Sequence, residues 1–252
     1  VPARFAMALL LLLPVWIALE GWPRGLPWGR CLWVGGLGIG GAAVALIFAQ
    51  SVTDPVTVAV IASVSPLTAT LVEWVLERRP LTRSFLWGLV ASVAGGVIAT
   101  MGGGAGQGHL LLGAALAVGS CLLYSWGSYE TVRSLPGRSA LAQTSSFMVG
   151  AWLATLLALG AALALGQTEL PAEPFAPRDL GLLVVYGLGG MAISQFLFIL
   201  GVRKIGVALA SFHINVAPFY VMLIMVALGG DWSWMQALGA AIVAGGVLLA
   251  QR

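Results

Sequence analysis

Neutral polar side chains inside long apolar runs are the residues of this sequence that could do chemistry. His213 and Asn215 stand two positions apart in one apolar run, and Gln195 stands in the run before it. In an apolar medium each of these groups needs a hydrogen-bond partner or water. An amide both donates and accepts hydrogen bonds, which suits a zwitterionic solute. Two interpretations therefore stay open for each residue, a bond to a neighbouring helix or a place in a binding cavity.

Tyr124 adds an aromatic side chain to this polar set, and His213 is its titratable member. Tyr124 lies deep in an apolar run, where an aromatic ring with one hydroxyl suits an amphipathic solute, although tyrosines near helix ends often anchor the interface. Histidine ordinarily changes its charge near neutral pH, so a cavity position for His213 predicts proton coupling. The expected partners are thus a small-molecule solute, the lipid bilayer and, through His213, the proton.

Two prolines interrupt apolar runs at related places. Ser63 and Ser65 precede Pro66, and Asn215 precedes Pro218. A proline frees a backbone carbonyl one turn earlier, and a bend with exposed backbone polarity suits a binding site or a hinge in mid-membrane. A plain structural kink is the alternative. We expect substrate contacts from the two serines and Asn215, and hinges at both prolines.

Charged residues are scarce within the apolar runs. Glu73 and Glu77 lie one helical turn apart and precede Arg78 and Arg79, a pattern that predicts a cytoplasmic ion-pair cluster, with gating as the alternative. No carboxylate relay crosses the predicted membrane, and no base stands inside a predicted span. Serine, histidine and aspartate are scattered over different runs, so we expect no catalytic residue, no metal site, no cofactor and no enzyme activity.

The composition excludes a soluble fold. Of 252 residues, 60% are hydrophobic and 8% are charged, whereas soluble domains carry about 25% charged residues. This balance excludes soluble enzymes, nucleic-acid binders and disordered chains, and it predicts an all-α polytopic membrane protein. Because a span needs about 20 apolar residues, we expect nine spans: Phe5–Leu19, Cys31–Gln50, Pro55–Leu76, Ser84–Met101, Leu110–Tyr129, Ala140–Leu165, Leu180–Val202, Val207–Leu228 and Trp234–Ala250.

The distribution of the basic residues predicts the orientation of these spans in the membrane. Ten of the twelve fall on one side, and only Arg4 and Arg178 fall on the other. The positive-inside rule assigns the ten to the cytoplasm. We therefore expect a multi-pass inner-membrane protein whose carboxy-terminus is cytoplasmic.

The sequence repeats itself weakly. Ala94–Val97 recurs as Ala244–Val247, and Pro66, Gly35 and Gly38 match Pro218, Gly187 and Gly190 at a common offset of 152 positions. Matching spans are five apart, an odd number, so the two copies insert in opposite directions. We expect a first repeat at residues 1–101, an external linker at 102–109 and a second repeat at 110–252. In this scheme the first helix of a ten-helix, 5+5 plan is missing before Val1.

Several of these segments resemble one transporter family. Three features are similar to the EamA type of the drug/metabolite transporter superfamily. They are Pro2-Ala-Arg4-Phe followed by leucines, the two prolines with their following charged turns, and the Gly-Gly segments near the end of each repeat. Where that family usually has Gly-Glu-Arg-Leu-Thr, this chain has Arg78-Arg79-Pro-Leu-Thr82. The resemblance implies a ten-helix basket with a central cavity, and bacterial amino-acid exporters of the YddG type are a comparison within it.

The sequence therefore predicts a transporter that moves a small neutral or zwitterionic metabolite outward by alternating access. Amino acids are the expected cargo. A drug or nucleoside exporter of the same superfamily is the first alternative. A membrane-embedded enzyme and a non-transporting scaffold are alternatives of another class. The internal repeat argues against a scaffold, and the lack of clustered acids and histidines argues against an enzyme.

Glycines 36, 38 and 41 match the Gly-x-Gly-x-x-Gly pattern of dinucleotide-binding loops, but they do not indicate such a loop here. A dinucleotide-binding loop requires a preceding strand, whereas these glycines lie inside an apolar run. We expect them to allow close helix packing.

Overall fold

A computed structural model gives the fold of the chain. It describes residues 1–52, 65–78, 82–84, 86–88, 90–91, 94, 110–170 and 176–216, with isolated positions at 220, 224, 227, 229, 234, 238, 241–242, 245–246 and 249. Ser63, Arg79 and Pro218, and the predicted linker at 102–109, lie outside this range, as do the side chain of Asn215 and most of the predicted spans 84–101 and 234–250.

The described residues are helical and include no strand. The helices are α1 (Pro2–Glu20), α2 (Trp28–Val34), α3 (Ala42–Val52), α4 (Ser65–Glu77), α5 (Leu110–Ser134), α6 (Ala140–Ala164), α7 (Pro177–Val185) and α8 (Ser194–Phe212). Two π-helical segments continue them, the first at Gly35–Gly41 between α2 and α3, and the second at Tyr186–Ile193 between α7 and α8. A short 3₁₀ turn, His213–Val216, follows α8.

Four stretches of the described residues are long and apolar enough to cross a membrane. They are Pro2–Glu20, Trp28–Val52, Ala140–Ala164 and Pro177–Phe212. Their outer faces carry large apolar side chains that are mostly exposed, such as Leu10 at 69%, Leu157 at 74% and Val185 at 72%. Exposed apolar surface on this scale suits contact with lipid and not with water. The chain is therefore a multi-pass membrane protein.

The predicted boundary between the spans Leu180–Val202 and Val207–Leu228 coincides with a break in the helix. Gly206 has φ 86° and ψ 164°, so the helical backbone stops there and resumes at Val207. Glycine has no Cβ and adopts this conformation without steric strain. The break leaves the N–H groups of the following turn without helical partners.

The chain divides into two compact units. The first unit consists of Val1–Val44 and Trp126–Lys204, and the second of Ala45–Ser125 and Ile205–Arg252. Each unit takes segments from both predicted repeats, since the first unit contains α1 and α2 together with α6, α7 and most of α8. The compact units are thus different objects from the sequence repeats.

Helix α6 is the centre of the first unit. It packs against α1, α2 and the first π segment, while α1 also contacts the second π segment. The core between these elements is apolar and contains Phe5, Leu12, Trp16, Phe147 and Met148, each at most 4% exposed. In the second unit, Ala49 and Ala117 form a small buried contact with Leu46 and Leu116.

Glycines set the closest approaches in the first unit. A Cβ added to Gly35 would lie 2.0 Å from the carbonyl oxygen of Phe147, and one added to Gly150 would lie 2.7 Å from that of Leu32. A Cβ added to Gly127 would likewise lie 2.6 Å from the Cα of Gly38. Gly35 and Gly38 of the glycine-rich run lie at such close contacts, whereas a Cβ at Gly36 would come no closer than 3.4 Å to a neighbouring atom.

The two π segments occupy equivalent places in the predicted repeats. Adding the offset of 152 to Gly35 and Gly41 gives Gly187 and Ile193, which lie within the second segment. Both segments are rich in glycine, and each packs on another helix, the first on α6 and the second on α1. The structure thus supports the repeat through an irregularity that both copies share.

Candidate solute-binding residues

Gln195 lies in the first turn of α8, just after the second π segment. Its side chain is 6% exposed, so the amide belongs to the interior of the first unit. The neighbouring Ser194 donates its hydroxyl to the carbonyl oxygen of Gly190 at 2.6 Å and so satisfies its own polarity within the helix. An interior amide placed next to an irregular helical turn fits a cavity wall, which stays a prediction for Gln195.

The second unit contains a polar band between α4 and α5. The hydroxyls of Thr68 and Ser125 lie 3.2 Å apart, and both side chains are buried. Tyr124 is the neighbour of Ser125 in α5 and is partly buried. The Ser65 hydroxyl at the start of described α4 is buried and has no partner among the described residues. Ser65 and Tyr124 thus lie in one unit, on the two helices that this hydroxyl pair joins.

Pro66 is fully buried, and its carbonyl oxygen accepts a hydrogen bond from the Thr70 hydroxyl at 2.7 Å. The hydroxyl of Thr68 likewise donates to the carbonyl oxygen of Ser65 at 2.9 Å. Threonines therefore bind backbone carbonyls on both sides of this proline. The hinge role of Pro66 stays a prediction, as does that of Pro218.

His213 begins the 3₁₀ turn after α8 and is exposed. Its Nδ1 lies 3.1 Å from the carbonyl oxygen of Leu209 in the preceding turn. The imidazole is therefore held against its own helix, with Nε2 directed away from that bond. Gln195 belongs to the first unit, and His213, Tyr124 and Ser65 belong to the second.

Glu73 makes a contact that the sequence did not indicate. Its side chain is 9% exposed, and its Oε1 accepts a hydrogen bond from the backbone N–H of Ala208 at 3.1 Å. Ala208 is in the first turn after the break at Gly206, where N–H groups lack helical partners. The carboxylate therefore caps a helix start and interacts favourably with the helix dipole.

Two other members of the predicted cytoplasmic cluster, Glu77 and Arg78, are exposed. Glu77 and Arg78 lie at the end of α4, and Arg78 has a left-handed backbone with φ 54°. Arg79 lies outside the described residues. The ion-pair cluster as a whole stays a prediction, while Glu73 has an additional partner in the backbone of the second unit.

Basic residues of the first unit join loops that the topology assigns to the cytoplasm. Arg30 pairs with Glu130 at 2.8 Å. Arg138 donates to the carbonyl oxygen of Arg24 at 3.2 Å, and Arg203 donates to that of Arg138 at 2.8 Å. The α1–α2 loop, the α5–α6 loop and α8 thus meet at one end of the unit, as a common side requires.

Arg4 makes contacts that the sequence did not indicate. The charge count places it on the outer side, and its Nη1 donates to the hydroxyl of Tyr186 at 3.1 Å, within the second π segment. The guanidinium also lies 5.4 Å from the ring centroid of Phe5 and 5.6 Å from that of Tyr186. The offset that aligns Gly35 with Gly187 locates the second glycine segment, but a single sequence gives no sign that α1 packs beside it.

The described residues contain no cluster of three or more histidine, cysteine, aspartate or glutamate side chains able to hold a metal ion. What the described arrangement offers is hydrogen bonding from amides and hydroxyls, one exposed imidazole, one capped carboxylate and one arginine paired with a tyrosine.

The comparisons with known proteins agree with this architecture. The EamA-like transporter family matches the chain twice, at residues 2–101 and 111–251. A solved crystal structure of another protein is 20% identical, with a TM-score of 0.81, covering 99% of this chain and 85% of its own. At that identity the likeness shows the fold alone. No curated protein matches the chain. Because the two family matches together span nearly all of the sequence, the chain belongs to the EamA-like transporter family, within the drug/metabolite transporter superfamily.

Proposed function

We propose that the protein is a secondary transporter that exports small neutral or zwitterionic metabolites, with amino acids as its cargo, by alternating access across the inner membrane. The observation that carries the proposal is the pair of π-helical glycine segments at equivalent places in the two family matches. Such irregular turns are frequent at functional sites and occur where helices change packing. A symmetric pair of them suits a molecule whose two halves exchange conformations.

The polar side chains support the choice of cargo. Gln195 in the first unit and Ser65, Thr68 and Ser125 in the second are neutral groups within apolar helices. Amides and hydroxyls of this kind, in either unit, bind the polar ends of a zwitterion by hydrogen bonds and carry no fixed charge for a strongly charged solute. This argument favours amino acids over nucleotide-linked cargo.

Transport in proteoliposomes tests the proposal. We expect saturable flux of at least one labelled amino acid by the purified protein, and a loss of about tenfold or more in Gln195→Ala, because a polar contact in an apolar site is removed. The matched control is Gln167→Ala, since Gln167 is exposed in the loop after α6 and should retain native flux.

The outcomes separate the candidate functions. Flux of a drug or a nucleoside without flux of any amino acid would overturn the cargo and leave transport standing. Equal loss in Gln195→Ala and Gln167→Ala would overturn the place of Gln195 in the cavity. Absence of flux for every class of solute would overturn the transport function itself.

A further inference from the structure

Three exposed arginines lie near one another at one end of the first unit, where the α1–α2 loop, the α5–α6 loop and α8 meet. The guanidinium of Arg138 donates to the carbonyl oxygen of Arg24 at 3.2 Å, and that of Arg203 donates to the carbonyl oxygen of Arg138 at 2.8 Å. All three side chains belong to exposed residues. We call these three residues the arginine patch. Like charges held near one another repel, so an anion that binds at the patch is favoured.

The loops that carry the patch are anchored in the apolar core of the unit. Leu26 in the α1–α2 loop and Leu135 in the α5–α6 loop are both buried and belong to that core. The hydroxyl of Ser139 in the α5–α6 loop also donates to the carboxylate of Glu20 at the end of α1. The two loops are therefore tied to the core and to each other. A ligand that binds the patch meets residues that are already ordered, which lowers the entropic cost of binding.

The acidic residues nearby leave the patch with an excess of positive charge. Glu130 is already paired with Arg30, at 2.8 Å. Glu20 is the other acid at this end, and it faces the three arginines of the patch and the exposed Lys204. The excess of positive charge requires an anionic ligand.

The guanidinium groups have donors left for such a ligand. A guanidinium has five N–H groups, and the bonds of Arg138 and Arg203 to carbonyl oxygens each use one of them. Arg24 takes part in its bond through the backbone carbonyl and not through its side chain. Arginine matches the oxygens of a phosphate with its planar pairs of donors. The patch therefore suits a ligand that carries a phosphate.

Exposed apolar side chains lie beside the patch. The backbone N–H of Arg24 donates to the carbonyl oxygen of Trp22 at 2.8 Å, so these two residues share one tight turn. Trp22 is 70% exposed, and Leu19 near the end of α1 is 74% exposed. Tryptophan is enriched at the level of lipid headgroups, and exposed leucines of a membrane-spanning helix contact acyl chains. A ligand that fits both surfaces has a phosphate and an acyl chain.

We propose that the arginine patch binds the phosphate of an anionic phospholipid, whose acyl chains lie against Trp22 and Leu19. The charge count places this end of the unit in the cytoplasm, and basic surfaces between membrane helices on that side are typical sites for anionic headgroups. A soluble phosphate would contact the arginines and leave the neighbouring apolar surface uncovered, so we assign the site to a lipid. This inference goes beyond the proposed function and does not depend on the cargo.

Lipid binding by the purified protein in a neutral detergent tests the inference. Phosphatidylglycerol or phosphatidylcholine is titrated into the full chain, and bound lipids are counted by native mass spectrometry. We expect the native protein to bind phosphatidylglycerol at least about fivefold more tightly, because phosphatidylcholine has no net charge. Arg24→Gln should weaken phosphatidylglycerol binding about fivefold, the ratio expected for one basic residue near an anionic lipid, and leave phosphatidylcholine binding unchanged. This variant keeps the backbone carbonyl that Arg138 binds.

Two further variants keep the test decisive. Arg178→Gln is the matched control, since Arg178 is an exposed arginine at the start of α7 that the charge count places on the other side of the membrane. It should bind both lipids as the native protein does. Arg203→Gln removes another charge of the patch and should also weaken phosphatidylglycerol binding, even if Arg24→Gln fails to fold. Equal affinity of the native protein for the two lipids, or native phosphatidylglycerol affinity in both Arg24→Gln and Arg203→Gln, would overturn the inference.

Competition with inorganic phosphate distinguishes a lipid from a soluble anion. The phosphatidylglycerol titration is repeated with millimolar inorganic phosphate at constant ionic strength. Unchanged lipid binding supports a site that reads the acyl chains together with the phosphate. Displacement of the lipid by inorganic phosphate would show a site for a soluble anion and would contradict the assignment to a phospholipid.

Discussion

Glu73 is the residue whose structural role differs most from what its sequence context indicates. Followed by Glu77 and two arginines, it is typical of an interfacial ion pair. In the structure its carboxylate is buried and accepts the N–H of Ala208 in the first turn after the helix break at Gly206. A residue 135 positions away in the chain thus determines what this carboxylate does, which a local pattern of charges cannot show.

Substitutions of Glu73 should separate its hydrogen bond from its charge. Glu73→Ala leaves the N–H of Ala208 unpaired, which costs about 1–3 kcal/mol of unfolding free energy. Glu73→Gln keeps an acceptor oxygen and loses only the interaction with the helix dipole, about 0.3–2 kcal/mol. We expect the midpoint of thermal unfolding in detergent to fall more in Glu73→Ala than in Glu73→Gln.

Glu77→Gln is the control for this series, because Glu77 lies on the same helix and is exposed. It should change the midpoint least of the three. If Glu73→Ala unfolds at the native temperature, or if Glu77→Gln is the most damaging change, the capping role of Glu73 is wrong.

At the scale of elements, the long apolar helices were predictable and their irregularities were not. The run from Cys31 to Gln50 predicts a span because its apolar residues are continuous, and the structure has helix from Trp28 to Val52 there. The π segments inside that stretch and after α7 depend on how closely glycines approach a neighbouring backbone, which a single sequence does not encode. The glycines at an offset of 152 give the correct positions without indicating the change in helical geometry.

The polar candidate residues likewise divide into features that the sequence could predict and features that it could not. Apolar context is enough to select Gln195, which is buried, and Ser65, whose hydroxyl is buried, because polar groups in such runs face the interior more readily than lipid. The pairing of Thr68 with Ser125 and of Arg4 with Tyr186 joins helices that are distant in sequence. Such pairings require the packing itself.

The first π segment provides a prediction about elements. A Cβ at Gly35 would lie 2.0 Å from the carbonyl oxygen of Phe147, and this backbone atom cannot move aside without shifting α6. We expect Gly35→Ala to lower the free energy of unfolding by about 1–3 kcal/mol or more, the usual effect of overpacking. Thermal unfolding in detergent, followed by size-exclusion chromatography, measures it.

Gly160→Ala is the matched control within α6. A Cβ there meets no atom within 4 Å, and alanine is favoured over glycine in a helix by about 1 kcal/mol. This variant should be as stable as the native protein or more so. Gly35→Ala with a native unfolding midpoint would show that the contact between the first π segment and α6 is looser than the structure has it.

At the scale of the whole molecule, the orientation in the membrane connects the sequence with the structure. Ten of twelve basic residues fall on one side of the predicted spans. In the first unit, the Arg138 guanidinium donates to the carbonyl oxygen of Arg24, and the Arg203 guanidinium donates to that of Arg138, at one end. Arginines of the α1–α2 loop, the α5–α6 loop and α8 that meet in space lie on the same side of the bilayer, which agrees with the charge count.

Cysteine accessibility tests this orientation. Pro136, in the α5–α6 loop, and Gln167, in the loop after α6, are exposed at opposite ends of one membrane-spanning helix, Ala140–Ala164. We expect a membrane-impermeant maleimide to label Gln167→Cys in intact cells, and to label Pro136→Cys only after the membrane is opened. The unsubstituted protein gives the background, since Cys31 is buried and Cys121 is partly buried. The reverse pattern would invert the positive-inside assignment.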